Sequence, residues 1–183
     1  MARLLCSMIL AAMCESMTGC ALYVDRTFRD VSTEPAYAVD YHVGDVYRLR
    51  TDGQLVACAS DNGAERFELW SPQVISQNAG HPASGSVVAV APAGSILRIG
   101  GLEHSRTVML PIPLPGDSQV LSAYGTLSTP AGSWHHVRIA NALDAKWSFV
   151  PGTSVMAFPP DEAFMERVPP TTAPARNPAD RSG

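Results

Sequence analysis

The sequence predicts an all-β domain, a small antiparallel barrel or sandwich, that ends in a short C-terminal helical turn and a disordered tail. Short runs of β-branched and aromatic residues recur, separated by Gly, Pro, Asn and Asp every 8–12 residues or so, as is typical of such folds. Several runs alternate polar and apolar side chains. Helical periodicity is weak, and a chain of 183 residues with 15 Pro, 14 Gly and only 16% charged residues is not a coiled coil or a long-helix bundle.

Each of these runs is predicted to be a strand. The strands lie at residues 46–51, 54–60, 65–70, 86–91, 95–99, 107–112, 119–127, 134–140, 146–150 and 154–158. The dipeptides Asp52-Gly53 and Asn62-Gly63 connect the first three, because Gly accepts a positive φ and Asn or Asp tolerates it. We therefore expect a meander over residues 45–70.

A short pattern recurs along the chain. Residues 44–49 (GDVYRL) resemble residues 94–99 (GSILRI), and residues 132–139 form a looser third copy. In each copy a glycine turn opens a strand that carries an Arg. The recurrence is typical either of common hairpin sequences or of a duplicated half-barrel. It is similar to the style of small SH3-like and OB-like barrels, although no diagnostic motif supports either name.

The C-terminal region contains the one predicted helical segment. Residues 160–167 begin with Pro160, followed by acidic residues and helix formers, which predicts one or two turns that close the domain. Residues 168–183 contain four prolines and no large hydrophobic residue except Val168. They therefore cannot bury enough apolar surface to offset the conformational entropy that is lost on ordering. We predict a folded domain over residues 37–167 and a disordered Pro-rich tail after it.

The first 19 residues have the layout of a secretory signal peptide. Arg3 precedes an apolar run over residues 4–14, and small and polar residues follow. This run is too short for a permanent membrane-spanning helix, which needs about 20 apolar residues, and Glu15 ends it with a charge. The segment therefore predicts export.

The end of this segment, Met17-Thr18-Gly19-Cys20, resembles the lipobox of bacterial lipoproteins. The resemblance implies that the chain is cleaved before Cys20, that the cysteine sulfur is diacylated, and that its new amino group is usually acylated as well. Such chains hold a protein on a bilayer almost indefinitely, because each buried methylene contributes about 0.8 kcal/mol.

The same resemblance implies a location in the bacterial cell envelope. Residues 20–36 would be a lipid-anchored tether to the membrane. Ala21 follows the cysteine, where an Asp would imply retention in the inner membrane, so the outer membrane is expected, on either its periplasmic or its surface side. An ordinary signal peptide with an unmodified Cys20 is the alternative.

Composition and cysteine spacing exclude other classes. The net charge is -4, and the 13 Lys and Arg residues are scattered, so no basic surface for nucleic acid is expected. After removal of residues 1–19 only Cys20 and Cys58 remain, which leaves no pair for an internal disulfide. Cys58 lies in an apolar run and is interpreted as a buried, inert thiol.

No catalytic, metal or cofactor site is predicted. The histidines lack metal-ligand spacing, and adjacent histidines on a strand point to opposite faces. They are His42, His81, His104, His135 and His136. No nucleophile elbow and no phosphate-binding glycine loop occurs. The carboxylates considered for hydrolysis are interpreted as turn and polar-face residues: Asp61, Glu65, Glu68 and Glu103.

Two apolar features are candidates for binding. Residues 110–116 (LPIPLPG) place a proline at every second position, which is typical of an extended edge or loop, either packed across the domain or exposed for docking. Trp70, Trp134 and Trp147 are expected in the core or at its rim, and clustering on one face would indicate a binding patch.

These features together predict a non-enzymatic, membrane-anchored envelope lipoprotein. Its β domain would bind an envelope protein or a glycan, or act as a structural interaction module. One alternative is a periplasmic enzyme for envelope polymers that uses a histidine and a carboxylate brought together by folding. Another is a small-ligand carrier, which would need an apolar cavity of about 300 Å³ or more.

Overall fold

A computed structural model describes residues 23–59, 65–78, 85–110, 118–142 and 144–169. The predicted signal peptide, Cys20, residues 170–183 of the predicted tail, the Asn62-Gly63 turn and residues 111–116 of the proline run all lie outside these ranges.

The described residues form an all-β fold, as predicted, with few helical turns. Its strands are β1 (Tyr23–Asp30), β2 (Val46–Leu49), β3 (Gly53–Ala59), β4 (Glu65–Trp70), β5 (Gly85–Ala91), β6 (Ile96–Leu110), β7 (Ser118–Thr129), β8 (Gly132–Ile139), β9 (Ser148–Phe149), β10 (Met156–Ala157) and β11 (Met165–Arg167). A 3-10 turn spans Pro35–Tyr37, and one α-helix, α1, spans Pro72–Asn78.

Within the described ranges the strands form one open sheet in the order β11-β2-β6-β7-β8-β4-β3-β5. β1 also pairs with β6, and β10 pairs with both β7 and β9. Most of the registered pairs are antiparallel, whereas β4 with β8 and β10 with β7 are parallel. The two end strands of this path, β5 and β11, do not pair with each other in the described ranges, so the sheet is open and agrees with the predicted sandwich.

The chain divides into two compact units. The larger contains Phe28–Ser105 and the residues from Gln119 onwards. The smaller contains, among its described residues, the first part of β1, Arg106–Leu110 at the end of β6, and Ser118. The core and the candidate sites below belong to the larger unit.

The core is filled by aliphatic and aromatic side chains from most of the strands. Leu49 of β2, Leu55 of β3 and Leu97 of β6 are at most 1% exposed and belong to one cluster. In β2 the predicted alternation is confirmed: Tyr47 and Leu49 are buried while Arg48 between them is exposed. The described side chains that alternate inwards therefore pack against one another in one core cluster.

The two best copies of the recurring pattern pair with each other. Gly44 N–H donates to the Ile99 carbonyl at 2.9 Å, and Gly94 N–H donates to the Leu49 carbonyl at 2.8 Å. Both glycines have a positive φ, 94° and 87°, which a residue with a side chain rarely adopts. β2 and β6 are antiparallel with Tyr47 opposite Leu97. The pair is thus related by a local twofold axis.

The predicted meander over residues 45–70 is wrong in its first half. β3 pairs with β4 as expected, but β2 lies between β6 and β11 instead of beside β3. After β2, the Arg50 N–H donates to the Phe164 carbonyl at 2.8 Å, so the C-terminal region occupies the edge where β3 was expected.

β6 is one long strand where the sequence predicts two, at 95–99 and 107–112. The glycines at 100 and 101 do not break it. A Cβ at Gly101 would collide with the Tyr124 ring, and one at Gly125 with the Arg98 carbonyl. These glycines therefore allow β6 and β7 to approach closely.

The domain begins earlier than residue 37. Part of the predicted tether, residues 20–36, forms β1, and Val31 is fully buried with its N–H donating to the Leu102 carbonyl at 3.0 Å. The burial of an apolar side chain at this point explains why the segment is ordered.

Helix α1 was not predicted, although its start carries a recognisable signal. The Ser71 hydroxyl accepts a hydrogen bond from the Val74 N–H at 3.4 Å, and Pro72 occupies the first helical position. At the C-terminus one turn forms at residues 162–164 as predicted, but Met165 then enters the core opposite Leu49, so residues 165–167 are strand β11 rather than helix.

Candidate functional site

Three of the described histidines, His104, His135 and His136, contact neutral side chains. His104 Nε2 lies 3.1 Å from Gln119 Oε1, and His135 Nδ1 lies 3.3 Å from Thr126 Oγ1. His136, at a φ of 53°, packs on the Tyr124 ring with centroids 4.3 Å apart. Each of these contacts joins side chains of two neighbouring strands of the sheet.

His42 contacts a carboxylate. Its Nδ1 lies 3.6 Å from Asp45 Oδ2, but the imidazole is half exposed. Asp45 itself is held by Arg167, by the His42 N–H and by the Tyr47 hydroxyl. His81 lies outside the described residues. No group of three metal-ligating side chains occurs within the ranges described above.

The carboxylates considered for hydrolysis have structural partners. Glu103 forms an ion pair with Arg138, and Glu68 accepts a hydrogen bond from the Trp70 indole at 3.0 Å. Asp61 and the side chain of Glu65 lie outside the described residues.

Cys58 is a half-buried thiol with a low tendency to ionise. Burial raises its pKa to about 11, and the charge of the Glu68 carboxylate adds to the shift. Because the thiolate is the reactive form, this environment agrees with the predicted inert cysteine.

The three tryptophans do not share a face. Trp134 packs edge-on against Phe67 beside the core, with centroids 5.3 Å apart, while Trp70 donates to Glu68. Trp147 is exposed and contacts the equally exposed Phe149 edge-on at 5.1 Å. One aromatic pair at β9, and not a tryptophan cluster, is therefore exposed.

The largest run of exposed aliphatic side chains lies on β5. Val87, Val88 and Val90 are 55%, 42% and 59% exposed, although β5 is hydrogen-bonded to β3 on one side. Val87 is opposite Val56 and Val90 is opposite Gln54, so both lie on the same face of the sheet. No described strand pairs with the other side of β5. We call this strand and its three valines the β5 edge.

A cavity of about 530 Å³ lies at a different place in the larger unit. Four parts of the chain form its walls. They are residues 139–142 and 144–146 from the end of β8 onwards, residues 159–165 up to the first residue of β11, Tyr41, and Ser71 and Gln73 at the start of α1. No histidine is among these described lining residues.

Helix α1 positions one wall of the cavity. The side-chain amides of Gln73 and Gln77 both donate to Asp144 Oδ1, at 2.8 and 2.5 Å, and so fix the loop after β8 against the helix. On the opposite wall, Asp161 accepts the Ala163 N–H at 3.0 Å, which holds the turn before β11. Both carboxylates are thus held by neutral donors.

Tyr41 forms the buried part of the cavity wall. Its ring packs edge-on against Tyr47, with centroids 5.5 Å apart. The sequence carries no signal for this site, because Tyr41 and the 159–165 segment are distant in the chain and have no motif that links them.

The chain matches no protein-family model, and no curated protein or solved structure is detectably similar to it. Within the described residues, no helix combines the length and the hydrophobicity that a membrane crossing requires.

Proposed function

We propose that this protein is a lipid-anchored protein of the bacterial envelope, attached at Cys20, whose β domain binds a partner protein by strand addition at the β5 edge. The partner is a protein that presents an extended, uncharged and apolar segment. The observation that carries this proposal is the exposure of three valines on a strand whose outer side has no described partner.

Natural sheet edges normally carry features that prevent such pairing. Charged side chains, inward-pointing charges, prolines and β-bulges are the usual protection. The β5 sequence, GSVVAVA, contains no charged residue and no proline, and its protection is limited to one register shift in the pairing with β3, at Leu55 and Val56. Main-chain hydrogen bonds supply affinity in strand addition, and side chains on alternate positions supply specificity. The β5 edge has apolar side chains and, among the described strands, no backbone partner on its outer side, as this mode of binding requires.

The alternatives have less support. The enzyme hypothesis requires a histidine and a carboxylate in a concave site, whereas the contacts of His104, His135 and His136 are to Gln119, Thr126 and Tyr124. A glycan partner is favoured only by the exposed pair of Trp147 and Phe149.

Photocrosslinking in cells tests the β5 edge. A photoreactive residue at Ser86 of the full-length chain should give a discrete protein adduct. Val90→Lys should reduce the yield of this adduct about tenfold, because a charge at an edge opposes pairing. This reduction corresponds to a loss of about 1.4 kcal/mol of binding free energy. Val43→Lys is the matched control, since Val43 is equally exposed at 51% but lies off β5.

Two outcomes would contradict this binding mode. One is an adduct yield that Val90→Lys and Val43→Lys change equally. The other is the capture of glycan without protein, which would move the binding surface to another part of the domain.

Intact mass spectrometry tests the anchor separately. The protein recovered from a bacterial membrane fraction should begin at Cys20 and carry the mass of two or three acyl chains, and Cys20→Ser should abolish this species. A mature chain without lipid would leave a freely diffusing exported domain and refute the anchor.

A further inference from the structure

The cavity has the size and the lining of a small-molecule site. Ligand pockets occupy about 300–1,000 Å³, and this cavity occupies about 530 Å³. Pro159, Pro160 and Ala163 line it with accessible apolar surface, whereas the core residues Phe164 and Met165 are at most 2% exposed. A ligand would find an apolar wall and polar groups on the same cavity surface.

The charged groups of the cavity are mainly acidic. Among the described lining residues, the carboxylates of Asp144, Asp161 and Glu162 face a single ammonium, that of Lys146. None of these four side chains forms an ion pair with a residue that the structure describes. The excess negative charge favours a cation.

A tyrosine hydroxyl without a hydrogen bond lies in the same wall. Tyr41 as a whole is only 8% exposed, and its hydroxyl has no hydrogen-bond partner among the described residues. A hydroxyl that lines a cavity and has no protein partner is a candidate ligand contact, because it can both donate and accept a hydrogen bond.

Two carboxylates act on this hydroxyl. Burial raises the pKa of Tyr41 far above its usual value, and the neighbouring Tyr47 and the negative charges of Asp40 and Asp161 raise it further. Asp40 Oδ2 is itself buried without a hydrogen bond to any described group. An unpaired buried carboxylate oxygen is costly, and a cation near it would reduce that cost.

We propose that this cavity binds a primary alkylammonium group. The ammonium lies between the Tyr41 hydroxyl and the Asp161 carboxylate, and the alkyl chain packs against Pro160 and Ala163. An ammonium group has three N–H donors and a positive charge, which satisfies both oxygen partners. A free amine and a lysine side chain of another protein share this chemistry. The proposal is independent of the β5 edge.

Calorimetric titration of the purified full-length protein tests the site. At neutral pH, pentylamine should bind, whereas 1-pentanol, which has the same chain without the charge, should bind at least tenfold more weakly, as expected for a charge-assisted contact. A second titration uses a lysine derivative whose main-chain amino and carboxyl groups are blocked. Binding of pentylamine alone identifies a free amine, and comparable binding of both identifies a site that also accepts a lysine side chain.

Conservative variants keep the test interpretable. Asp161→Asn retains the oxygen that accepts the Ala163 N–H, and Tyr41→Phe retains the ring that packs on Tyr47. We expect pentylamine affinity to fall about tenfold in the first and about threefold in the second. Glu34→Gln, which removes a carboxylate that pairs with Arg29 outside the cavity, should leave it unchanged.

The proposal is overturned if pentylamine does not bind, if 1-pentanol binds equally well, or if Asp161→Asn and Glu34→Gln have the same effect.

Discussion

At the residue scale, the environment of Tyr47 is set by one buried carboxylate. The side chain of Asp45 is 7% exposed, pairs with Arg167, and lies 3.5 Å from the Tyr47 hydroxyl. Burial raises the pKa of Tyr47 to about 12, and the Asp45 charge adds to the shift while Arg167 opposes it. The phenol is therefore held in its neutral, hydrogen-bonding form.

This shift predicts a loss of stability at alkaline pH. The ordinary pKa of a tyrosine is 10.0, so between about pH 10 and 12 the unfolded chain releases a proton that the folded chain keeps. The contribution is complete below pH 10 and is lost as the pH rises through the folded value. We expect the free energy of unfolding in urea to fall over this range, and to fall less in Tyr47→Phe.

Lys and Arg titrate in both proteins, so the comparison reports the Tyr47 phenol together with its effect on the neighbouring Tyr41. Equal slopes of unfolding free energy against pH for the wild type and Tyr47→Phe would contradict the assignment.

At the element scale, strand content was predictable, whereas strand pairing was predicted correctly for the neighbouring strands β3 and β4 but not for β2. Alternation of Tyr47 and Leu49 with Arg48 identifies β2, because the pattern depends on neighbouring residues alone. The pairing of β2 with β11 depends on Met165, more than a hundred positions away, and no local pattern contains it. Helix α1 was predictable from the sequence, since Ser71 followed by Pro72 is a signal for the start of a helix.

The close contact between β6 and β7 gives a test at this scale. Gly125→Ala should destabilise the fold by about 1–3 kcal/mol, because the new methyl group would meet the Arg98 carbonyl and overpack the pair. The matched control is Gly100→Ala on β6, where the nearest atom, the Gly125 Cα, would be 3.7 Å from the methyl group. Thermal or urea unfolding measures both.

We expect Gly100→Ala to change the unfolding free energy by less than about 0.5 kcal/mol, as is usual away from packing conflicts. A loss of the same size in both variants would mean that loss of strand flexibility, and not close approach, explains the glycines.

At the scale of the whole molecule, the candidate sites differ in how far the sequence could predict them. The β5 edge follows from an uncharged valine-rich run, but its position at the end of the sheet depends on the order of all the strands. The cavity depends on Tyr41, Asp144 and Asp161, which three separate segments contribute. Sites of this kind arise from tertiary geometry and have no signature in the order of residues.

In the chain, the twofold pair of β2 and β6 is separated by residues 53–91, which form β3, β4, α1 and β5. This intervening segment is not a free loop, because Leu55 and Leu69 belong to the core and β4 pairs with β8. Its last strand, β5, pairs only with β3 among the described strands, so β5 is the part of the segment that the rest of the sheet constrains least. Substitutions on the outer side of β5 can therefore change the proposed partner while the twofold pair stays intact.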